Sequence, residues 1–319
     1  MSKKLPTDQP VEAQTSSPAT AERPLAPRRR RRWGLLLGVL GLIGGSIVWW
    51  QSRGPSVEEI ISEVESLGGD VETEAICPLS ILSRLPPSLS ARVKKWRYVS
   101  AILVSGEPVT NTHLLHWGRL RGLKFLDLGS TPVTDAGLAH LSGLTNLKWL
   151  RFNSTQVTDA GLVHLSGLTM LESLDLDFSL VSDAGLVHLS GLKNLNQLGL
   201  SSTQVTDTGL VHLRGLTNLK ELDLDNTNVT DAGLIHLSGL TNLERLYLDS
   251  TQITDAGLVH LSELPNLNWL NLSFTHVTDA GLVHLTGLTN LKFLYLRFTQ
   301  VTEAAKVEFW KQHPQCTVR

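Results

Sequence analysis

The sequence predicts an α/β solenoid, with short parallel strands on a concave face and short helices on a convex face, preceded by one transmembrane helix. Two observations carry this prediction. The C-terminal two thirds of the chain repeats itself with a strict period of 24 residues, and an uncharged stretch of 18 residues, Trp33 to Trp50, directly follows five consecutive arginines. A unit recurring at such a period buries its apolar side only by stacking on its neighbours, so the period outranks local propensity as a guide to fold.

Taken in order, residues 1–32 are rich in Pro, Ser, Thr, Ala and Gln, lack an apolar period, and read as a disordered basic tail. They carry eight Lys/Arg against three Asp/Glu, whereas residues 101–319 carry fourteen against twenty, so the two ends are suited to different surroundings. Residues 33–50 are long enough, at ~1.5 Å per residue, to cross roughly 27 Å of hydrocarbon. Trp33 at one end and Trp49 with Trp50 at the other sit where interfacial aromatics belong. Arg28 to Arg32 place the N-terminus in the cytoplasm and the rest of the chain outside it, in the periplasm or at the cell surface. A cleaved signal peptide is the rival reading, but the segment ends Ile47-Val48-Trp49-Trp50-Gln51 without the small residues of a cleavage site. The arginine run also weakly resembles a twin-arginine export signal, and a buried core helix fits poorly beside five arginines.

Residues 51–98 read as stalk and N-terminal cap. Val57, Ile60, Ile61, Val64 and Leu67 fall near helical spacing among Glu58, Glu59, Glu63 and Glu65, and Gly68-Gly69 ends the pattern. The stretch through Pro78, Pro86 and Pro87 is irregular.

The array is expected over residues 99–319, with a C-terminal cap from about residue 302. The pattern L-x-x-L-x-L-x-x-T begins at Leu123, Leu147, Leu171, Leu195, Leu219, Leu243, Leu267 and Leu291, with Phe152 in place of one leucine and Ser179 of one threonine. A degenerate ninth unit precedes them, since Val99, Ile102 and Val104 lie 24 residues before Leu123, Leu126 and Leu128. The alternating leucines point inward along each strand, and the Thr131 to Thr299 column supplies hydroxyls to backbone groups at the turn. These residues resemble the leucine-rich-repeat family. The V-T-D-A-G-L-x-H-L segment looks most like its ribonuclease-inhibitor-like, cysteine-containing subclass, with Thr or Ser where that subclass often has Cys, as in bacterial membrane-anchored repeat proteins. The resemblance implies a scaffold of motif residues with binding at the variable positions, and no catalytic residues.

Three periodic columns invite chemistry. Asp135, Asp159, Asp183, Asp207, Asp231, Asp255 and Asp279 follow candidate N-cap residues such as Thr134, where the helix dipole favours them. One carboxylate per unit supplies too few ligands for calcium. His116, His140, His164, His188, His212, His236, His260 and His284 are expected at the solvent or the seam between units. Repetition explains them better than metal binding, and their protonation would loosen the seam. In the last unit Glu303 and Ala305 replace Asp and Gly, Phe309 and Trp310 are expected to close the apolar end, and Pro314 to Val318 to add a final half-strand. Cys77 and Cys316 are too few for a disulfide framework. Nine strands at ~4.8 Å would set the array ends roughly 40 Å apart, too far for an intrachain bridge.

Function is expected where the frame varies, at the positions between the leucines. Arg245, Tyr247, Trp269, Phe274, Phe293, Tyr295, Arg297 and Phe298 gather the residue types enriched at binding hot spots, beside an acidic middle of Asp175, Asp177, Glu221, Asp223 and Asp225. The competing reading is that these aromatics only ladder across strands and stabilise the sheet. No Ser/His/Asp, Cys/His, phosphate-cradling or metal-ligand constellation stands outside the repeat frame, so no enzyme, cofactor or small-molecule substrate is expected. The acidic array also lacks the clustered Lys and Arg of a nucleic-acid binder. The expectation is therefore a membrane-anchored protein that binds a protein partner through its concave face. A self-associating envelope protein is the alternative, and a substrate receptor similar to ubiquitin-ligase adaptor repeats a further one.

Overall fold

A computed structural model describes residues 55–75 and 97–319. Within them the chain forms one sheet of eleven strands laid down in sequence order. The tail 1–32, the segment 33–50 expected to span a membrane, Cys77, and the proline-rich stretch 76–96 lie outside the described residues. Among those described, no helix is long and apolar enough to cross a membrane.

The first helix, Val57–Ser66, begins at a capping box in which Ser56 and Glu59 satisfy each other's backbone N–H groups. It buries Ile60 and Val64 and stops before Gly68, whose φ of 83° is open to glycine at little cost. Strand β1 (Asp70–Ala75) then pairs antiparallel with β2 (Arg97–Leu103), the only antiparallel pair in the sheet among the described residues. From β2 onward each strand pairs parallel with the next, and the partners across every pair from β3 (Phe125–Asp127) to β10 (Phe293–Tyr295) are 24 residues apart. Each of these strands is three residues long and buries only its central leucine, from Leu126 to Leu294, while its flanking residues face the open side.

Convex helices follow the strands as single turns, such as Asp207–Leu210, continued by a tighter 3-10 turn. Two leucines and the glycine of each turn are buried against the strands, giving one continuous core. In the unit after Asp279 only the 3-10 turn Gly281–Leu285 remains.

The threonine column acts as expected. Thr131, Thr155, Ser179, Thr203, Thr227, Thr251 and Thr275 each donate their hydroxyl at 2.6 Å to the carbonyl three residues earlier, pairing a buried group that the turn leaves free.

The aspartate column does more than favour a helix dipole. Each Asp accepts two bonds from the N-cap residue of the following unit, one from its backbone N–H at 2.7–2.8 Å and one from its hydroxyl at 2.5–2.8 Å. The series runs from Asp135 on Thr158 to Asp279 on Thr302. These carboxylates are staples between units. In the first unit Asn111 holds Thr134 instead, its Oδ1 accepting from the Thr134 N–H at 3.3 Å and its amide donating to the hydroxyl at 3.0 Å. A second ladder comes from Asn146, Asn194, Asn218, Asn242, Asn266 and Asn290, whose amides donate to carbonyls of the preceding unit at 2.8–2.9 Å.

At the C-terminal end the helix Glu303–Gln312 is longer than its predecessors. Phe309 is buried and stacks on the buried His313, but Trp310 turns outward and is half exposed, so it does not close the apolar end as expected. Strand β11 (Thr317–Val318) adds the final half-strand beside β10. Cys316 is buried with a free thiol, which burial pushes up to about 11.

Candidate protein-docking face

Opposite the helices the sheet presents two outward residues per strand, and because each strand is in register with the next, these residues form columns. Three zones result. At the C-terminal side Trp269, on β9 (Trp269–Asn271), lies 6.1 Å from Tyr247 on β8 (Arg245–Tyr247), and 4.9 and 5.0 Å from Phe293 and Tyr295 on β10, measured between ring centroids. These tilted rings are laddered across strands, so they contribute to the sheet and at the same time present a contiguous aromatic surface. The indole N–H of Trp269 finds no acceptor, which leaves a hydrogen-bond donor unspent inside the cluster. The guanidinium of Arg319 lies 5.9 Å over Tyr295.

The remaining members of the predicted site divide. Phe274 and Phe298 stack on each other at 4.4 Å, away from the strand positions, in the turns that leave the sheet. Arg245 is drawn toward the middle of the sheet, where its Nη2 donates to Glu221 Oε2 at 2.6 Å. Arg297 is exposed. The structure thus brings Tyr247, Trp269, Phe293 and Tyr295 together, keeps Arg245 at its outward strand position beside Trp269 but pairs it with Glu221, and sets Phe274 and Phe298 apart as a separate stack.

The turns hold a feature the sequence did not announce. Ser130, Ser154, Phe178, Ser202, Asn226, Ser250, Phe274 and Phe298 all have φ between 54° and 57°, the left-handed region in which a bulky side chain is strained. Five of these eight are Ser or Asn. Phe178, Phe274 and Phe298 accept the strain and also stand 61%, 53% and 75% exposed, two costs without a gain in packing to the core. Phe178 could have been picked out as an aromatic in a Ser/Asn column.

The middle of the face is acidic. Asp127, Asp175, Asp177, Glu221, Asp223, Asp225 and Asp249 meet only Arg151 and Arg245 among the outward residues of these units. Arg151 bridges Asp127 at 3.2 Å and Asp175 at 3.1 Å. Asp177 and Asp225 lie one turn past their strands and each accepts a backbone N–H of the next unit, from Ser201 at 2.8 Å and Asp249 at 2.6 Å. Burial, and after it repulsion from Asp175 and Asp223, pushes Asp177 up to about 7. Burial and then Asp223 do the same to Asp225. Burial raises Asp223 as well. On β6 (Gln197–Gly199) the column position held from β3 to β10 elsewhere by Asp, Arg, Tyr or Asn is Gly199. An added Cβ there would come within 2.7 Å of Asp177 Oδ1. An open depression of about 340 Å³ lies over this strand, lined by Trp149, Arg151, Asp175, Asp177, Gly199, Glu221 and Asp223.

The histidine column faces the convex side. His116 has a carboxylate beside it: its Nδ1 lies 3.2 Å from Glu63 Oε1, and Trp117 Nε1 donates to the same carboxylate at 3.1 Å. His236 is lowered by burial and then by Arg214. Beside the histidines, Val163, Val187, Val211, Ile235, Val259 and Val283 form an exposed aliphatic stripe.

A family model described as a leucine-rich repeat region matches residues 110–317. Among solved structures, an internalin C2 from Listeria monocytogenes is similar at 29% identity and a TM-score of 0.53, over 64% of this chain and 81% of that one. An internalin from the same organism aligns at 18% identity and a TM-score of 0.41, over 75% of this chain and 92% of that one. A comparison with curated proteins returns no match.

Proposed function

This chain belongs to the leucine-rich-repeat family, and from that premise we propose that it is a non-catalytic, membrane-anchored binding protein whose open sheet face docks a protein partner. Solenoids of this kind generally use their extended concave surface for binding. The observation that carries the reading is the contiguous aromatic cluster of Tyr247, Trp269, Phe293 and Tyr295, which is partly exposed on a face that no element of the described chain covers. Large rigid aromatics are the residues that dominate interface energetics. Residues 33–50 act as the anchor, with the arginine run on the cytoplasmic side and the array extracytoplasmic.

The test compares the full chain with a variant carrying Trp269→Ala, Tyr295→Ala and Arg297→Ala as baits in pull-down. The reading expects a partner held by the first and lost from the second, and equal capture by both defeats it. C-terminal reporters active on one side of a membrane test the topology, and a cytoplasmic signal contradicts it. The exposed Val163 to Val283 stripe supports a second reading, self-association through the convex face. That reading expects a mass by light scattering that rises with concentration in the absence of any partner.

A further inference from the structure

The acidic middle of the face specifies what kind of partner the face takes. We propose that it docks a basic segment of the partner protein, seating a Lys or Arg side chain in the depression over Gly199 while neighbouring apolar residues of that segment lie on the aromatic cluster. This inference rests on the sheet face being the docking surface.

Three features argue for it. Charge on the middle of the face is strongly one-sided, and the arginines present are already committed, Arg151 to Asp127 and Asp175 and Arg245 to Glu221. The carboxylates left over are close-set and partly desolvated: burial first, and then repulsion from neighbouring aspartates, holds Asp177 and Asp225 well above the usual carboxylate range. A partner's cation would relieve that repulsion, so complementarity here is electrostatic and not only a matter of shape. The second feature is the depression itself. Gly199 gives a floor without a side chain, and Asp175 and Asp177 stand over it, close enough that a methyl group in its place would collide with Asp177. The third is the wall: Trp149 is 44% exposed and tilts against Phe125 at 5.9 Å, presenting an indole to the margin of the depression. Carboxylates together with an open aromatic face are the two partners that a guanidinium or ammonium seeks. A neutral segment would gain nothing from this middle zone, and an acidic one would be repelled by it.

The probes are a hexa-arginine peptide and a hexa-glutamate peptide, titrated by fluorescence anisotropy against the full chain in detergent. Hexa-arginine is expected to bind and hexa-glutamate not to. Asp175→Asn with Asp223→Asn, which keeps the shape and one acceptor oxygen on each side chain for the N–H groups of Asp177 and Asp225, is expected to weaken hexa-arginine binding about tenfold or more. Gly199→Ala, which fills the floor without changing charge, is expected to weaken it too. Glu303→Gln with Glu308→Gln removes the same charge from the C-terminal helix and is expected to leave binding unchanged. Binding should also weaken as pH falls from 8 to 5.5, because the carboxylates then protonate. Melting temperatures confirm that each variant is folded. Equal binding of both peptides, or equal loss in the two double variants, overturns the inference, as does undiminished binding by Asp175→Asn with Asp223→Asn. If partner capture is lost in the aromatic variant while hexa-arginine does not bind, the docking face stands and the basic partner falls. If hexa-arginine behaves as expected while the aromatic variant captures its partner normally, the aromatic site falls instead.

Discussion

Asp177 and Asp225 make the pH dependence of the array unusual. Both have folded pKa values near 7 against an ordinary 3.8, so the folded state binds their protons more tightly than the unfolded chain does. For an acid shifted in this direction the contribution to stability is fully present below the unfolded value and is lost as pH rises through about 7. The array should therefore melt at a higher temperature at pH 5 than at pH 8 from this pair. Asp177→Asn with Asp225→Asn should raise the midpoint at pH 8 while changing it little at pH 5, as followed by circular dichroism. A variant effect equal at both pH values contradicts this assignment. His236 acts in the opposite sense, since a base lowered by burial and then by Arg214 favours folding at higher pH. Strain at single residues is as testable. Phe178→Asn places a residue that tolerates the left-handed region at φ 56° and should stabilise the chain by about 1 kcal/mol in denaturant unfolding. A loss of similar size would mean that Phe178 contributes packing which its exposure does not suggest. The column of Ser, Asn and Phe was visible in the sequence. Its left-handed backbone was not, because Ser and Phe carry no signal for positive φ.

Between elements, stability resides in staples that cross from one unit to the next. Asp231 accepts from the backbone N–H and hydroxyl of Thr254 in the interior of the array, whereas Asp279 makes the same bonds to Thr302 in an exposed setting near the end. Removing an acceptor from a partly buried donor costs about 1–3 kcal/mol, and water substitutes more readily at an exposed one. Asp231→Ala is therefore expected to destabilise the chain clearly more than Asp279→Ala in chemical denaturation, and equal losses would show that the staples do not carry the seam. The strands, the leucine core and the threonine column were legible from the period alone, since each follows from residues within one unit. The aspartate and asparagine staples were misread or passed over because their partners lie 23 or 25 residues away. Reasoning within one helix therefore assigned Asp only to the helix dipole. The acidic depression over Gly199 was equally hidden, because its lining is contributed by four consecutive units.

At the scale of the whole molecule, a near-identical frame carries a face that changes character along its length, from the Phe125–Trp149 pair through acidic strands to the aromatic end. Repetition explains the frame and cannot explain the change, and so the variable columns hold the function. The convex side offers the contrary possibility, with its stripe from Val163 to Val283. The most direct measurement is site-specific photo-crosslinking of the full chain in its native membrane, with the reactive side chain at Asn271 on the sheet face in one variant and at Val211 on the convex stripe in another. The account predicts a partner adduct from position 271 and none from position 211. An adduct from 211 alone would contradict it.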